Sequence, residues 1–320
     1  MVTQMTTYRN NLPQFDNSLM LTDSGLETTL IFHDGLDLPA FAAYPLMETP
    51  EGRETLTRYY RRHISIAADH GTGFVLEAPT WRASRDWGAQ LGHSPEDLAR
   101  INRAAIGFLT DLRGAAGSVR PMVISGNIGP RGDGYRPDTA MTAAEAERYH
   151  AEQIGWFAQT DVDMVTAVTL STVAEGVGVI RAAKKVGLPV VVAYTVETDG
   201  HLPDGTPLGR AFEETDARTD RAAAYFMVNC AHPDHFRDAL EAGSGWLKRI
   251  GGVRANASRL SHAELDEAEE LDAGNPAELG RDYARLRGLL PNLRVLGGCC
   301  GTDHRHVEAI ADCCVASYAE

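Results

Sequence analysis

The chain has 320 residues, 43% hydrophobic and 23% charged, which allows a sizeable core without covalent staples. Its formal net charge of -14, with no run of Lys and Arg, excludes nucleic acid and anionic membrane surfaces as favoured partners. Both reward clustered positive charge, so the acidity reads first as a solubility feature.

Residues 1–17 form a polar N-terminal extension without the apolar segment of a secretory signal. No stretch approaches the roughly 20 apolar residues that cross a bilayer. The five cysteines are odd in number, and two pairs are adjacent (Cys299–Cys300 and Cys313–Cys314), unlike a secreted disulfide framework. The expectation is a reduced, cytoplasmic protein whose cysteines are free or bound to metal, with small molecules as its partners.

From Leu19 onward, short apolar runs alternate with longer segments that carry helix-start signals. The predicted strands are Leu19–Thr22, Gly73–Glu77, Met122–Gly126, Met164–Val168, Pro189–Tyr194, Ala224–Val228, Ile250–Val253 and Val295–Gly298. Their near-continuous hydrophobicity suits parallel strands covered on both faces. Between them, Thr49-Pro50-Glu51 and Ser94-Pro95-Glu96-Asp97 each give an N-cap followed by proline. Thr142 with Glu145 reads as a capping box, Pro233 opens a helix, and Asp303 caps the last one, His306–Ala316. This pattern predicts an α/β fold, a single (β/α)8 TIM-type barrel spanning residues 1–320, with a doubly wound open sheet as the alternative.

In such a barrel the working mouth is built from residues just after each strand. Those positions gather Asp23, Glu77 to Thr80, Gly126 to Gly129, Thr169, Thr195 to Glu197, Asn229-Cys230, Arg254 to Asn256 and Cys299-Cys300 at one end. Cys230 follows the sixth strand and Cys299-Cys300 follow the eighth, and alternate strands place inward residues in one layer. Three thiolates suit Zn2+ and leave a fourth position open, as catalytic zinc sites do. Cys230, Cys299 and Cys300 are therefore the predicted catalytic and metal-binding set. Cys313 and Cys314 fall on the last helix, some three turns on, and read as packing residues. His304 and His306 lie close by, as an alternative fourth ligand or as solvated residues at a helix start.

Asn229-Cys230 and Gly297-Gly298-Cys299-Cys300-Gly301-Thr302 resemble the signature of the homocysteine S-methyltransferases. Asp23-Ser24-Gly25, Thr80-Trp81-Arg82-Ala83-Ser84, Gly126-Asn127-Ile128-Gly129-Pro130 and, more loosely, Arg254-Ala255-Asn256-Ala257 extend the resemblance over nearly the whole chain. It implies zinc-dependent methyl transfer from a small-molecule donor to homocysteine or a related thiol, giving methionine or an analogue. A free thiol of pKa about 8.5 is mostly protonated at neutral pH, and zinc coordination deprotonates it while leaving it nucleophilic. Carried over by motif, Asp23 and Thr80 orient the amino-acid portion of the substrate.

One departure stands out. The family commonly has a Glu after the fourth strand that binds the substrate ammonium, and this chain has Val168, which cannot accept that hydrogen bond. Glu77 and Glu197 read either as replacements for that carboxylate or as acids of the mouth rim exposed to water. Two other functions fit a metal-bearing mouth: a zinc hydrolase with Glu77 or Glu197 as base, and a non-catalytic metal or redox barrel.

Overall fold

A computed structural model of the chain describes residues 7–16, 18–117, 119–135, 141–268 and 270–315. Eight parallel strands close a barrel in sequence order: β1 (Met20–Leu21), β2 (Gly73–Glu77), β3 (Met122–Ile128), β4 (Met164–Leu170), β5 (Val190–Tyr194), β6 (Phe226–Asn229), β7 (Ile250–Ala255) and β8 (Val295–Gly298). β1 closes the ring by pairing with both β2 and β8, Met20 standing level with Gly73 and with Val295. The predicted barrel is thus the observed one, and the open-sheet alternative falls. Expected and observed strands differ at their ends, most at β6, which runs from Phe226 to Asn229 rather than from Ala224 to Val228, while β3, β4 and β7 run on to Ile128, Leu170 and Ala255.

The helices begin where the side chains can satisfy the first free N–H groups. The outer ring consists of α2 (Pro50–Asp69), α4 (Pro95–Ala115), α5 (Ala143–Ala158), α6 (Val173–Lys185), α7 (Leu208–Thr219), α8 (Pro233–Glu241), α10 (Pro276–Leu289) and α11 (His304–Val315). Thr49 accepts from Gly52 N, and capping boxes join Ser94 to Asp97 and Thr142 to Glu145. Pro233 opens α8 behind a His232 cap, and Asp303 Oδ1 accepts from Arg305 N at 2.9 Å. Three shorter helices, α1 (Leu26–Phe32), α3 (Arg85–Gln90) and α9 (His262–Glu267), lie beyond the mouth ends of strands. Ala316, the expected end of the last helix, lies outside the described residues. None of the described helices is long and apolar enough to cross a membrane.

The period of two along each strand divides the barrel interior into layers. Met20, Val75, Val123, Met164, Val191, Met227 and Val295 share a buried apolar floor. One step toward the mouth come Glu77, Ser125, Thr166, Asn229 and Arg254, all buried. Another step adds Asn127 and Val168 on the wall of the cavity above. The floor is closed from below by residues 7–16 rather than left to a loose extension. Leu12 packs into the apolar cluster, and Arg9 donates to Val162 O and Thr160 O, both at 2.8 Å.

Candidate metal centre and substrate pocket

Cys230, Cys299 and Cys300 are free thiols whose sulfurs all lie within 4.8 Å of one another. Cys230 Sγ stands 3.7 Å from Cys300 Sγ. The backbone turns sharply to achieve this. Cys230 has φ +54° and Thr169, two strands away, has φ +61°, a region that costs a non-glycine residue about 1–2 kcal/mol. Asn229 pins the Thr169 turn and ties it to a thiol: its Oδ1 accepts from Thr169 N at 2.8 Å, and its Nδ2 donates to Thr169 Oγ1 at 2.9 Å and to Cys299 Sγ at 3.8 Å. At the other pole, a side chain at Gly298 would run into Thr302, and Gly301 adopts φ +78°. Those two glycines let Cys299 and Cys300 sit side by side at the strand end.

The thiols are electrostatically unequal. Cys299 and Cys300 donate to Cys230, which lowers the Cys230 pKa well below the ordinary thiol value. The Cys230 thiolate pushes Cys299 up to about 12 and raises Cys300 as well. A cation is what allows three such groups to ionise together. His262 Nε2 donates to Cys230 O at 2.6 Å, while its Nδ1 faces Glu197 Oε1 at 3.3 Å. Tyr135 stacks on the His262 ring at 3.9 Å and brings its hydroxyl 4.0 Å from Cys300 Sγ.

The sulfurs open into a cavity of about 450 Å³. Asp23, Glu77, Asn127, Val168 and Arg254 line its inner part, and Phe32, Phe41, Trp81, Arg82 and Asp266 its outer part. Arg254 is the buried cation of the inner part: its Nη2 meets Asp23 Oδ1 at 2.8 Å and Ser24 O at 3.1 Å, and its Nε meets Gly298 O at 3.0 Å. Burial opposes this charge, but Asp23, Glu77 and Cys299 outweigh it and raise the Arg254 pKa. Burial also pushes Glu77 up to about 7, against the pull of Arg254, and leaves Glu77 Oε2 without a partner. Glu27, on α1, is pushed up to about 7, first by burial and then by the charges of Asp23 and Cys299. Further out, Arg82 lies over the rings of Trp87 at 3.6 Å and Trp81 at 4.0 Å.

Of the residues singled out from sequence, Cys230, Cys299, Cys300, Asp23 and Glu77 face this one cavity. Glu77 is only 3% exposed, so its reading as a rim acid in water is corrected. Thr80 is brought to the wall but not to the pocket: its hydroxyl donates to Asn127 O at 2.8 Å, and the residue is fully buried. Glu197 stands behind His262 with a side chain 36% exposed, outside the residues that line the cavity. Neither His304 nor His306 joins the group of thiols among the described residues. His306 is buried rather than solvated, its Nε2 meeting Ala273 O at 2.8 Å. Cys313 and Cys314 pack into the helical core.

A family model described as Homocysteine S-methyltransferase matches residues 20–314. The chain belongs to the homocysteine S-methyltransferase family. As a member of this family it is a methyltransferase, which sets aside the hydrolase and storage readings. It is 21% identical over 291 residues to the homocysteine S-methyltransferase YbgG of Bacillus subtilis, covering 85% of this chain and 86% of that protein. A rat S-methylmethionine–homocysteine S-methyltransferase is 27% identical over 176 residues, 50% of this chain and 47% of the relative. The chain matches about half the length of that mammalian relative. Among solved structures, the metallated homocysteine methyltransferase MmuM of Escherichia coli superposes with a TM-score of 0.71 at 19% identity, covering 94% of this chain and 98% of that one. That likeness supports the barrel fold.

Several pocket residues carried no recognised signal in the sequence. Glu27 is one turn beyond Asp23 and reads as an ordinary first-turn acid of a helix. Tyr135 and His262 sit in segments between strands, where spacing alone gives no contact with Cys230 or Cys300. Arg254 did fall on a strand end, but its partner Asp23 is 231 residues away.

Proposed function

We propose that the chain is a zinc-dependent homocysteine S-methyltransferase, moving a methyl group from a small-molecule donor to the sulfur of homocysteine and yielding methionine. The observation that carries this reading is the trio of thiols at the head of the mouth cavity. Sulfurs held about 2.3 Å from a tetrahedral zinc would stand about 3.8 Å apart, and the separation of 3.7 Å between Cys230 and Cys300 fits that value. Three soft thiolates, with no carboxylate or imidazole among them, also favour zinc over the harder divalent ions. When bound, zinc supplies the Lewis acidity that keeps an incoming thiol in its nucleophilic form.

The chain's own residues supply the rest. Cys230, Cys299 and Cys300 hold the ion, and Asn229 holds Thr169 in its turned conformation and donates to the sulfur of Cys299. Glu77 receives the acceptor's ammonium in place of the carboxylate that Val168 lacks: it is buried, close enough to Arg254 to feel its charge, and has an oxygen without a partner. Asp23 acts one step back, by holding Arg254. Thr80 acts through the wall, by fixing the Asn127 carbonyl. Glu197 acts through His262, which grips the backbone of Cys230. The apolar and aromatic outer part excludes water from the sulfur, and it leaves room for the donor.

Cobalt substitution tests this function. The cobalt-loaded protein should show intense thiolate-to-metal absorption that shifts when homocysteine is added, as a further sulfur joins the ion. An unchanged spectrum at saturating homocysteine would exclude direct sulfur activation.

A further inference from the structure

Arg254 is tied down on one side only. Its Nε and Nη2 are committed to Gly298 O, Ser24 O and Asp23 Oδ1. Its Nη1 has no partner among the described residues, and it is not one of the buried side-chain atoms left unsatisfied. Since Arg254 lines the cavity, that nitrogen faces open pocket space. A guanidinium is a rigid planar fork, so three fixed bonds also fix the direction of the remaining two N–H groups. The anchor at Gly298 O lies one residue before Cys299 and keeps the guanidinium charge within reach of that thiol. Glu77, with its own unpaired oxygen, lies within the reach of the same charge.

The inner pocket therefore offers one uncommitted cationic edge, with the unpaired carboxyl of Glu77 buried in the same wall. A zwitterionic α-amino-acid head group on a short thiol stem complements that pair, carboxylate to guanidinium and ammonium to carboxyl. We propose that Arg254 is the binding residue for the acceptor's carboxylate, and that Asp23 serves to aim it rather than to touch the substrate. The proposal rests on the thiol methyltransferase reading above and deepens it. It makes the acceptor class carboxylate-bearing thiols, and it ranks them by the carboxylate before the ammonium.

The test titrates the cobalt-loaded full-length protein at pH 7.5 with four thiols, reading the shift of the metal absorption. 1-Propanethiol reports binding through sulfur alone, 3-mercaptopropylamine adds the ammonium, 4-mercaptobutanoate adds the carboxylate, and homocysteine carries both. Homocysteine should bind tightest, 4-mercaptobutanoate next, and 3-mercaptopropylamine about ten- to a hundredfold more weakly than homocysteine. In Arg254→Gln, homocysteine and 4-mercaptobutanoate should weaken by that factor while 3-mercaptopropylamine stays within about twofold, the pattern of a pairwise contact. The wild-type series decides the matter even where Arg254→Gln fails to fold, because Asp23 is then left unpaired. If 3-mercaptopropylamine binds the wild type as tightly as homocysteine, Arg254 is not a carboxylate anchor, although the thiol reading survives. If none of the four thiols shifts the spectrum, the reading beneath the proposal fails, and the proposal with it.

Discussion

At Glu77 the structure changes what a single acid means. On a rim it would be a solvated charge of little consequence; between Ser125, Thr166 and Arg254 its neutral form is favoured until about pH 7. Between the usual carboxylate pKa of about 4.3 and about 7, the folded state binds more protons at this group than the unfolded state does. Through this group, stability in the absence of substrate therefore falls as pH rises across that window. The ionised carboxylate that an ammonium needs accumulates only above it. Homocysteine should accordingly gain on 4-mercaptobutanoate as pH is raised from about 6 to about 8, and Glu77→Gln should abolish the gain. In the same variant homocysteine affinity should drop roughly ten- to a hundredfold, about 1.5–3 kcal/mol, with metal content intact. Calorimetric titration across pH checks both, and a gain that persists in Glu77→Gln would move the ammonium site elsewhere. Val168, by contrast, was fully legible in the sequence, because the absence of an acceptor group needs no coordinates. The partners of Glu77 were not legible: burial depends on which residues close over it, and Ser125, Thr166 and Arg254 come from three other strands.

The strands and their turns carry the next level. Strand positions were readable because parallel strands buried on both faces leave continuous apolar runs. Neither the polar layer that those strands present above the floor nor the positive φ of Thr169 and Cys230 was visible in the same way. The Thr169 turn depends on one side chain, Asn229, which also reaches Cys299 Sγ. Asn229→Ala removes its bonds to Thr169 N and Oγ1 and leaves a buried N–H unsatisfied, so it should cost about 1–3 kcal/mol of stability. Metal affinity should fall with it, since Cys299 loses the amide that donates to its sulfur. Chemical denaturation and metal competition measure the two effects, and an unchanged metal affinity would show that Cys299 is placed without Asn229. On α11 the opposite holds. Replacing Cys313 and Cys314 by Ala should leave metal content and methyl transfer unchanged, with a stability loss of about 1–2 kcal/mol from thinner packing. A metal loss in that double variant, measured by elemental analysis, would show that the ligand set reaches beyond the barrel mouth.

For the molecule as a whole, the closed barrel brings residues together from both ends of the chain. Asp23 and Arg254 pair across 231 positions, and Cys230 meets Cys300 across 70. The cysteine motifs alone identified that meeting, because the eightfold alternation puts the sixth and eighth strands two apart. The Asp23–Arg254 pair had no such signal. In the proposed function the three thiols hold a zinc ion that activates homocysteine for methylation. The most direct measurement loads the protein with zinc, incubates it with homocysteine and S-methylmethionine, S-adenosylmethionine or betaine, and detects methionine by mass. The account predicts about one zinc per chain and methionine from at least one donor, both lost in Cys299→Ser and in Cys300→Ser. Full zinc retention in both variants, or no methionine from any donor with the zinc-loaded wild type, would contradict it.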